Sequence, residues 1–161
     1  MEHMNIRVLL ADRAVASPPT GTVHLLNAGW SIAQLRAQLV GPPTISPMTV
    51  TLFVEAELPE CNRPHALDLE LWDQDGNIVA VPGPGGDQKI CWSQEIVVPA
   101  PPGVPTGFPG HASATIEFLT GLALAPGAYR WQAKVDGAAD PLWSARFYVM
   151  ALHRLPTFGG S

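Results

Sequence analysis

The fold class is decided by residues 124–137, Leu-Ala-Pro-Gly-Ala-Tyr-Arg-Trp-Gln-Ala-Lys-Val-Asp-Gly, where a Pro-Gly turn signal leads directly into strict alternation. One face of this segment carries the apolar side chains Tyr129, Trp131, Ala133 and Val135. The other face carries the polar side chains Arg130, Gln132, Lys134 and Asp136. Alternation with one apolar face is the pattern of a half-buried β-strand. We therefore predict a strand here, with Trp131 in the core and the polar side chains facing outward.

The start of this strand resembles the tyrosine corner of immunoglobulin-like sandwiches. Tyr129 follows the Pro126-Gly127 turn by two residues. In a tyrosine corner the phenol hydroxyl bonds to the backbone a few residues upstream. We expect the Tyr129 hydroxyl to bond back to the turn that precedes it.

Composition extends the all-β interpretation to the whole chain. Its 161 residues include 17 Pro and 15 Gly, too many for a helical bundle and typical of short strands joined by turns. About nine alternating segments recur at the spacing of sandwich strands. We predict an all-β fold, a two-sheet antiparallel sandwich of immunoglobulin-like or C2-like type.

The segment 31–40 is ambiguous between helix and strand. Ile32, Leu35 and Leu39 have helical spacing behind Ser31, which is suited to an N-cap. A short helix, an irregular bridge and a strand all fit this pattern.

One domain accounts for the chain, because a sequence of this length builds a single core. We assign residues 5–152 to one β-sandwich domain. Residues 1–4 are expected to be a cloning remnant, with Met4 as the natural start. Residues 153–161 offer little to pack and are expected to be a flexible tail.

Charge and hydropathy exclude several partners. The chain has 14 acidic and 9 basic residues, a net charge of −5, and no Lys/Arg cluster, so we expect no nucleic-acid partner. No apolar run approaches the roughly 20 residues of a membrane helix, so we expect no membrane partner. The first residues lack a secretion signal, which favours a cytoplasmic location.

Cys61 and Cys91 are the two cysteines of the chain. Their positions do not reproduce the strand-to-strand cystine of antibody domains. Two free thiols in a reducing compartment and a disulfide between them both remain open.

The order of strands and turns resembles a family of small uncharacterised bacterial proteins of unknown function. The residues that carry the resemblance are Val-Leu-Leu-Ala-Asp at 8–12, Asn-Ala-Gly-Trp at 27–30, Asp-Gln-Asp-Gly at 73–76, Pro-Gly-Ala-Tyr-Arg-Trp at 126–131 and Val-Asp-Gly at 135–137. The resemblance implies an immunoglobulin-like or C2-like sandwich, and it implies no catalytic residues.

The acidic turn 73–77 is the candidate metal site. Asp73 and Asp75 place oxygen ligands at alternate positions before a Gly, as at the start of a calcium loop, but the later bidentate Glu is missing. Calcium binding would need Asp136 and Asp140, or Asp87, to approach this turn. Asp, Asn and Gly are also the ordinary residues of a solvated turn.

The sequence predicts no enzyme and no cofactor. It lacks a Gly-x-Ser-x-Gly elbow and any other nucleophile signature, and its serines, cysteines and histidines are scattered.

Aromatic residues are the better indication of a binding surface. Phe53 and Trp72 lie on the polar faces of predicted strands, and Phe108 lies in a Pro/Gly-rich loop. They predict contacts with another protein or a second copy of the chain, unless the segment 31–40 covers Phe53 and Trp72. The functional hypothesis is a non-catalytic protein that acts through protein contacts. The alternative is a calcium- or carbohydrate-binding module that uses its end loops or exposed aromatic residues.

Overall fold

The computed structural model describes residues 4–17 and 22–152, and this part of the chain folds into β-strands joined by turns, with one 3-10 turn at Leu58–Glu60. Thirteen strands are present in these residues: β1 (Met4–Ala11), β2 (Arg13–Ser17), β3 (Thr22–Leu26), β4 (Ile32–Arg36), β5 (Thr44–Ile45), β6 (Met48–Ala56), β7 (Pro64–Asp73), β8 (Ala80–Gly83), β9 (Gly86–Lys89), β10 (Cys91–Val97), β11 (Gly110–Phe118), β12 (Gly127–Val135) and β13 (Ala138–Met150). The all-β prediction is confirmed.

The strands of the described residues form four sheets. The orders are β1-β6-β11 in a three-stranded sheet, β10-β7-β12-β13-β4-β5 in a six-stranded sheet, and two separate hairpins, β2-β3 and β8-β9. The predicted count of about nine strands in two sheets is too low. One reason is Asp12, which bends the chain so that the expected first strand splits, and β2 then pairs with β3.

The segment 31–40 contains a strand, and the helical alternative is wrong. Ile32–Arg36 is β4, which runs parallel to β13 with Ile32 opposite Tyr148. The backbone N–H of Tyr148 donates to the carbonyl of Ser31 at 2.9 Å. Pairing with β13 provides hydrogen-bond partners for the backbone groups of this segment. This pairing favours a strand more than the helical spacing of the apolar residues favours a helix.

The hydrophobic core contains buried side chains from both larger sheets. Trp131 lies in β12, near the middle of the six-stranded sheet, and is fully buried. Its ring stacks on Phe118 of the three-stranded sheet, with 5.0 Å between the centroids. Trp92 of β10 is half-buried and packs at the margin of this core.

The tyrosine corner is present. The hydroxyl of Tyr129 donates to the carbonyl oxygen of Ala125 at 2.8 Å, across the turn that opens β12. The ring stacks on Phe147, with 5.6 Å between the centroids. Burial, and then the negative charge of Asp73, raises the pKa of the Tyr129 phenol.

A tight turn and a bulge join β12 to β13. Asp136 and Gly137 both have positive φ, 48° and 81°, in a two-residue hairpin loop, as a type I′ turn requires. Beyond the turn the pairing passes from Lys134–Ala139 to Gln132–Ser144, so β13 carries extra residues.

The bulge buries Gln132, although its place in the alternation predicts an outward side chain. Its Nε2 donates to the carbonyl of Asp140 at 2.8 Å, and lies 3.1 Å from the carbonyls of both Ala133 and Trp143. Pro141 fits the bulge because it needs no partner for a backbone N–H.

Cys61 and Cys91 are free thiols, the first buried and the second exposed.

The described residues contain no helix long and apolar enough to cross a membrane. Met4 is the first residue of β1. The predicted tail, 153–161, and the first three residues of the predicted remnant lie outside the described residues.

Candidate functional site

The outer face of the six-stranded sheet is the face opposite the core. Its position follows from alternation, because Trp131, Ala133 and Val135 of β12 point into the core, whereas Arg130 and Lys134 at alternate positions point outward. Strand register then places Trp72 of β7, Arg130 of β12 and Arg146 of β13 side by side in one row. The neighbouring row contains Ala128, Tyr148 and Ile32.

Trp72 is half-buried on this face and is covered by cations. The Cζ of Arg130 lies 6.0 Å from the ring centroid and the Nζ of Lys134 lies 5.8 Å from it, within the range of cation–π attraction. The indole N–H donates to Glu70 at 3.0 Å, and Lys134 pairs with the same carboxylate at 2.8 Å. The segment 31–40 does not provide the cover, since two strands separate β4 from β7.

Arg130 and Arg146 lie directly opposite each other on adjacent antiparallel strands. Cα atoms of such pairs are about 4.5–5.5 Å apart, and like charges at this position are destabilising. Over the described part of the chain, neither guanidinium group has an ion pair or a hydrogen bond. Within the described residues the two positive charges therefore lack a carboxylate partner, with Arg146 exposed and Arg130 half-buried against the Trp72 ring.

A cleft of about 560 Å³ opens beside this pair. The small side chain of Ala128 leaves a depression between Tyr148 on β13 and the turn at Gln74 and Gly76. Arg130 and Arg146 also line the cleft. It is a shallow groove lined by the two arginines and by the aromatic side chain of Tyr148.

Next to the cleft, three large apolar side chains are exposed. Ile32 is 61% exposed, Tyr148 51% and Met150 39%. Ile32 pairs with Tyr148, and the next outward position of β13 is Met150. We call these three residues the apolar strip; it continues the row of exposed residues at the cleft.

The other two predicted interface residues lie elsewhere. Phe53 is half-buried on the three-stranded sheet, in a cleft of about 380 Å³ that Arg7 and His111 also line. Phe108 is 53% exposed, and its ring centroid lies 6.4 Å from that of His111. His111 thus connects Phe53 with Phe108, whereas Trp72 is on the other sheet, so the three aromatic residues do not form one surface.

The first carboxylate of the acidic turn 73–77 accepts hydrogen bonds from the backbone of the same turn. Oδ1 of Asp73 accepts hydrogen bonds from the backbone N–H groups of Asp75 and Asn77, both at 2.9 Å. The bond from Asn77 is the largest of the causes that lower the pKa of Asp73. Asp75 and Asp87 are exposed.

Asp136 does not approach this turn. It contacts Ala66 near the other end of β7, about 20 Å from Asp73 at the rise of a β-strand. Within residues 4–17 and 22–152, no three His, Cys, Asp or Glu side chains are grouped as metal ligands.

Asp136 instead pairs with His65, a contact that alternation and motif spacing do not reveal. Nδ1 of the buried His65 lies 2.7 Å from Oδ2 of Asp136, and Nε2 lies 2.8 Å from the carbonyl of Glu60. Burial alone would raise the pKa of Asp136, but the hydrogen bonds from His65 and from the N–H of Ala66 lower it below its usual value. Both ring nitrogens are occupied within the protein, so this pair holds the fold together.

Comparison with known proteins does not identify a family. No protein-family model and no curated protein matches the chain. Among solved structures, it is similar to the Pseudomonas fluorescens alkylpurine DNA glycosylase AlkC bound to DNA containing an abasic site analog, with 13% identity and a TM-score of 0.35. The match covers 88% of this chain and 30% of that chain. At this TM-score the likeness carries no argument about fold or function.

Proposed function

We propose that this protein is a non-catalytic β-sandwich module that acts through protein contacts, and that the outer face of the six-stranded sheet is its contact surface. The three-stranded and six-stranded sheets form the two layers of the sandwich. Support for this arrangement comes from the core, where buried side chains of both sheets belong to one cluster.

The exposed apolar strip carries the proposal. Ile32, Tyr148 and Met150 are adjacent on one face and are exposed to solvent. Contact of these apolar side chains with water is unfavourable, and folding does not bury them. Contiguous apolar surface of this kind, bordered by polar residues, is typical of protein interaction sites.

The residue types of the face support the same function. Trp72, Tyr148, Met150 and the two arginines belong to the classes enriched at the centres of protein interfaces. The Lys134–Glu70 ion pair lies one to two rows away, and charged pairs of this type are common at an interface rim. The partner is another protein or a second copy of this chain.

A reducing compartment such as the cytoplasm fits the proposal. Cys61 and Cys91 are both free thiols, and Cys91 is exposed at the start of β10. Exposed thiols without a disulfide partner are typical of intracellular proteins.

Photo-crosslinking at position 148 tests this function. A photo-reactive phenylalanine analogue replaces Tyr148 in one variant and Leu119 in a matched control, since Leu119 is 74% exposed and directly follows β11 of the three-stranded sheet. We expect a discrete crosslinked species from position 148 and none from position 119. Mass spectrometry then separates a homodimer from a complex with another protein. Equal crosslinking at the two positions, or none at position 148, would contradict the proposed surface.

Light scattering after size-exclusion chromatography provides a second measurement. If the partner is a second copy, the mean mass rises with concentration in the wild type. We expect the Ile32→Ser, Tyr148→Ser double variant to remain monomeric, because it removes most of the apolar strip. Leu119→Ser should behave like the wild type.

A further inference from the structure

We propose that the cleft over Ala128 is a binding site for a small organic anion, in which Arg130 and Arg146 hold a carboxylate or phosphate group and Tyr148 contacts an apolar or aromatic body. This site goes beyond the proposed protein-contact function, and it is testable on the isolated protein.

Arg130 and Arg146 are a pair of like charges on adjacent strands. They occupy directly opposite backbone positions, where like charges are unfavourable, and no described carboxylate lies within ion-pair distance of either. Guanidinium groups present planar arrays of donors that match the oxygens of carboxylates and phosphates. An oxyanion between Arg130 and Arg146 would therefore convert a repulsive contact into an attractive one.

The neighbouring acidic groups are already engaged. Asp73 lines the same cleft, but its Oδ1 accepts two backbone hydrogen bonds in the turn 73–77. The carboxylate of Glu70 accepts from both Lys134 and Trp72. Asp73 keeps its negative charge, but the two arginines outnumber it in the cleft, in a chain whose net charge is −5.

The shape of the cleft predicts the rest of the ligand. Its volume of about 560 Å³ is within the usual range of sites for small organic molecules. Ala128 forms an apolar floor one row from the arginines, and the Tyr148 ring stands beside it on the adjacent strand. A ligand that joins an oxyanion to a flat apolar body would contact both parts, whereas a bare inorganic ion would contact the arginines alone.

Suitable probes are phenyl phosphate, benzoate, inorganic phosphate and the neutral analogue benzyl alcohol. Each is titrated into the protein by calorimetry and by NMR at the same ionic strength. We expect phenyl phosphate or benzoate to bind at a single site and more tightly than inorganic phosphate or benzyl alcohol. The stronger of the two shows whether the site prefers a phosphate or a carboxylate. Binding of none of the probes, or no advantage over inorganic phosphate, would overturn the proposal.

Three variants locate the site. Arg130→Gln and Arg146→Gln should each weaken binding by about tenfold or more, because each removes charge-assisted hydrogen bonds. Ala128→Leu keeps both charges but fills the floor, and it should weaken phenyl phosphate more than inorganic phosphate. All three positions are at the surface or half-buried, so the variants should fold.

Arg7→Gln is the matched control, because it removes the same charge from the three-stranded sheet. It should leave binding unchanged. An equal loss in Arg7→Gln, or undiminished binding in both Arg130→Gln and Arg146→Gln, would assign the effect to overall charge and reject the cleft. Since crosslinking at position 148 is measured separately, the anion site and the protein-contact surface can fail independently.

Discussion

Nδ1 of His65 lies 2.7 Å from Oδ2 of Asp136, although the two residues are 71 positions apart in the chain. The other oxygen of Asp136 accepts from the N–H of Ala66 at 2.8 Å, and Nε2 of His65 faces the carbonyl of Glu60. The pair therefore ties the β12–β13 turn to the start of β7 and to the 3-10 turn.

Asp136→Asn is expected to lower the stability of the protein by about 1 kcal/mol near neutral pH, because charge-assisted bonds are lost at a partly exposed site. Asn tolerates the positive φ of this position, 48°, so the backbone adds little cost. Urea unfolding of the variant and the wild type measures the difference.

The pH dependence of that difference provides the control. The pKa of Asp136 is lowered in the folded state from 3.8, so its contribution is complete well above pH 3.8 and is lost as pH falls through the folded value. We expect the stability gap between wild type and Asp136→Asn to narrow in acid. A gap that stays constant from neutral to acid pH would mean that the Asp136 charge does not stabilise the fold.

Alternation of apolar and polar residues predicts the strands that have one apolar face. It is least informative for segments whose structure depends on a neighbouring strand or on a contact that is distant in sequence. The strand at 127–135 needs only its own sequence, since Trp131, Ala133 and Val135 alternate in the core. The strand β4 forms because β13 is beside it. The His65–Asp136 contact depends on where a hairpin turn falls relative to β7, and local spacing does not contain that information.

The pairing of Arg130 with Arg146 also could not be predicted from the sequence. If the Lys134–Ala139 pairing continued without interruption, Trp143 would lie opposite Arg130. The bulge inserts three residues into β13, which turns Trp143 into the core and places Arg146 opposite Arg130. An odd shift of register exchanges the two faces of a strand, so predicting this site would require predicting the bulge.

Tyr129→Phe should destabilise the protein by about 1 kcal/mol, because the bond from its hydroxyl to the Ala125 carbonyl is lost while the ring stacking is kept. Thermal and urea unfolding measure the change. Tyr148→Phe is the matched control at a 51% exposed position and should change stability little. Equal effects of the two substitutions would argue against a stabilising role of the tyrosine corner.

Gln132→Leu and Gln132→Glu test the bulge. The amide of Gln132 is 5% exposed, and its Nε2 lies within hydrogen-bond distance of three backbone carbonyls. Removal of a buried donor costs about 1–3 kcal/mol, so Gln132→Leu should be clearly destabilised. Gln132→Glu should be worse at neutral pH, because a carboxylate oxygen then faces those carbonyls. If Gln132→Glu were as stable as the wild type, the proposed donor role of this amide would be wrong.

Trp131→Ala should be the most destabilising of the single substitutions considered, by about 3–5 kcal/mol, because it leaves a large cavity in the core. Trp131 is fully buried and stacks on Phe118, so its loss removes a contact between the six-stranded and the three-stranded sheet. Trp72→Ala is the matched control, since Trp72 is half-buried on the outer face and its ring is covered by flexible cations that can return to water. Urea unfolding followed by circular dichroism measures both variants without relying on the removed tryptophan. If Trp131→Ala cost no more than Trp72→Ala, the ring would not be the packing link between the sheets, and the shared core would have to rest on its aliphatic residues.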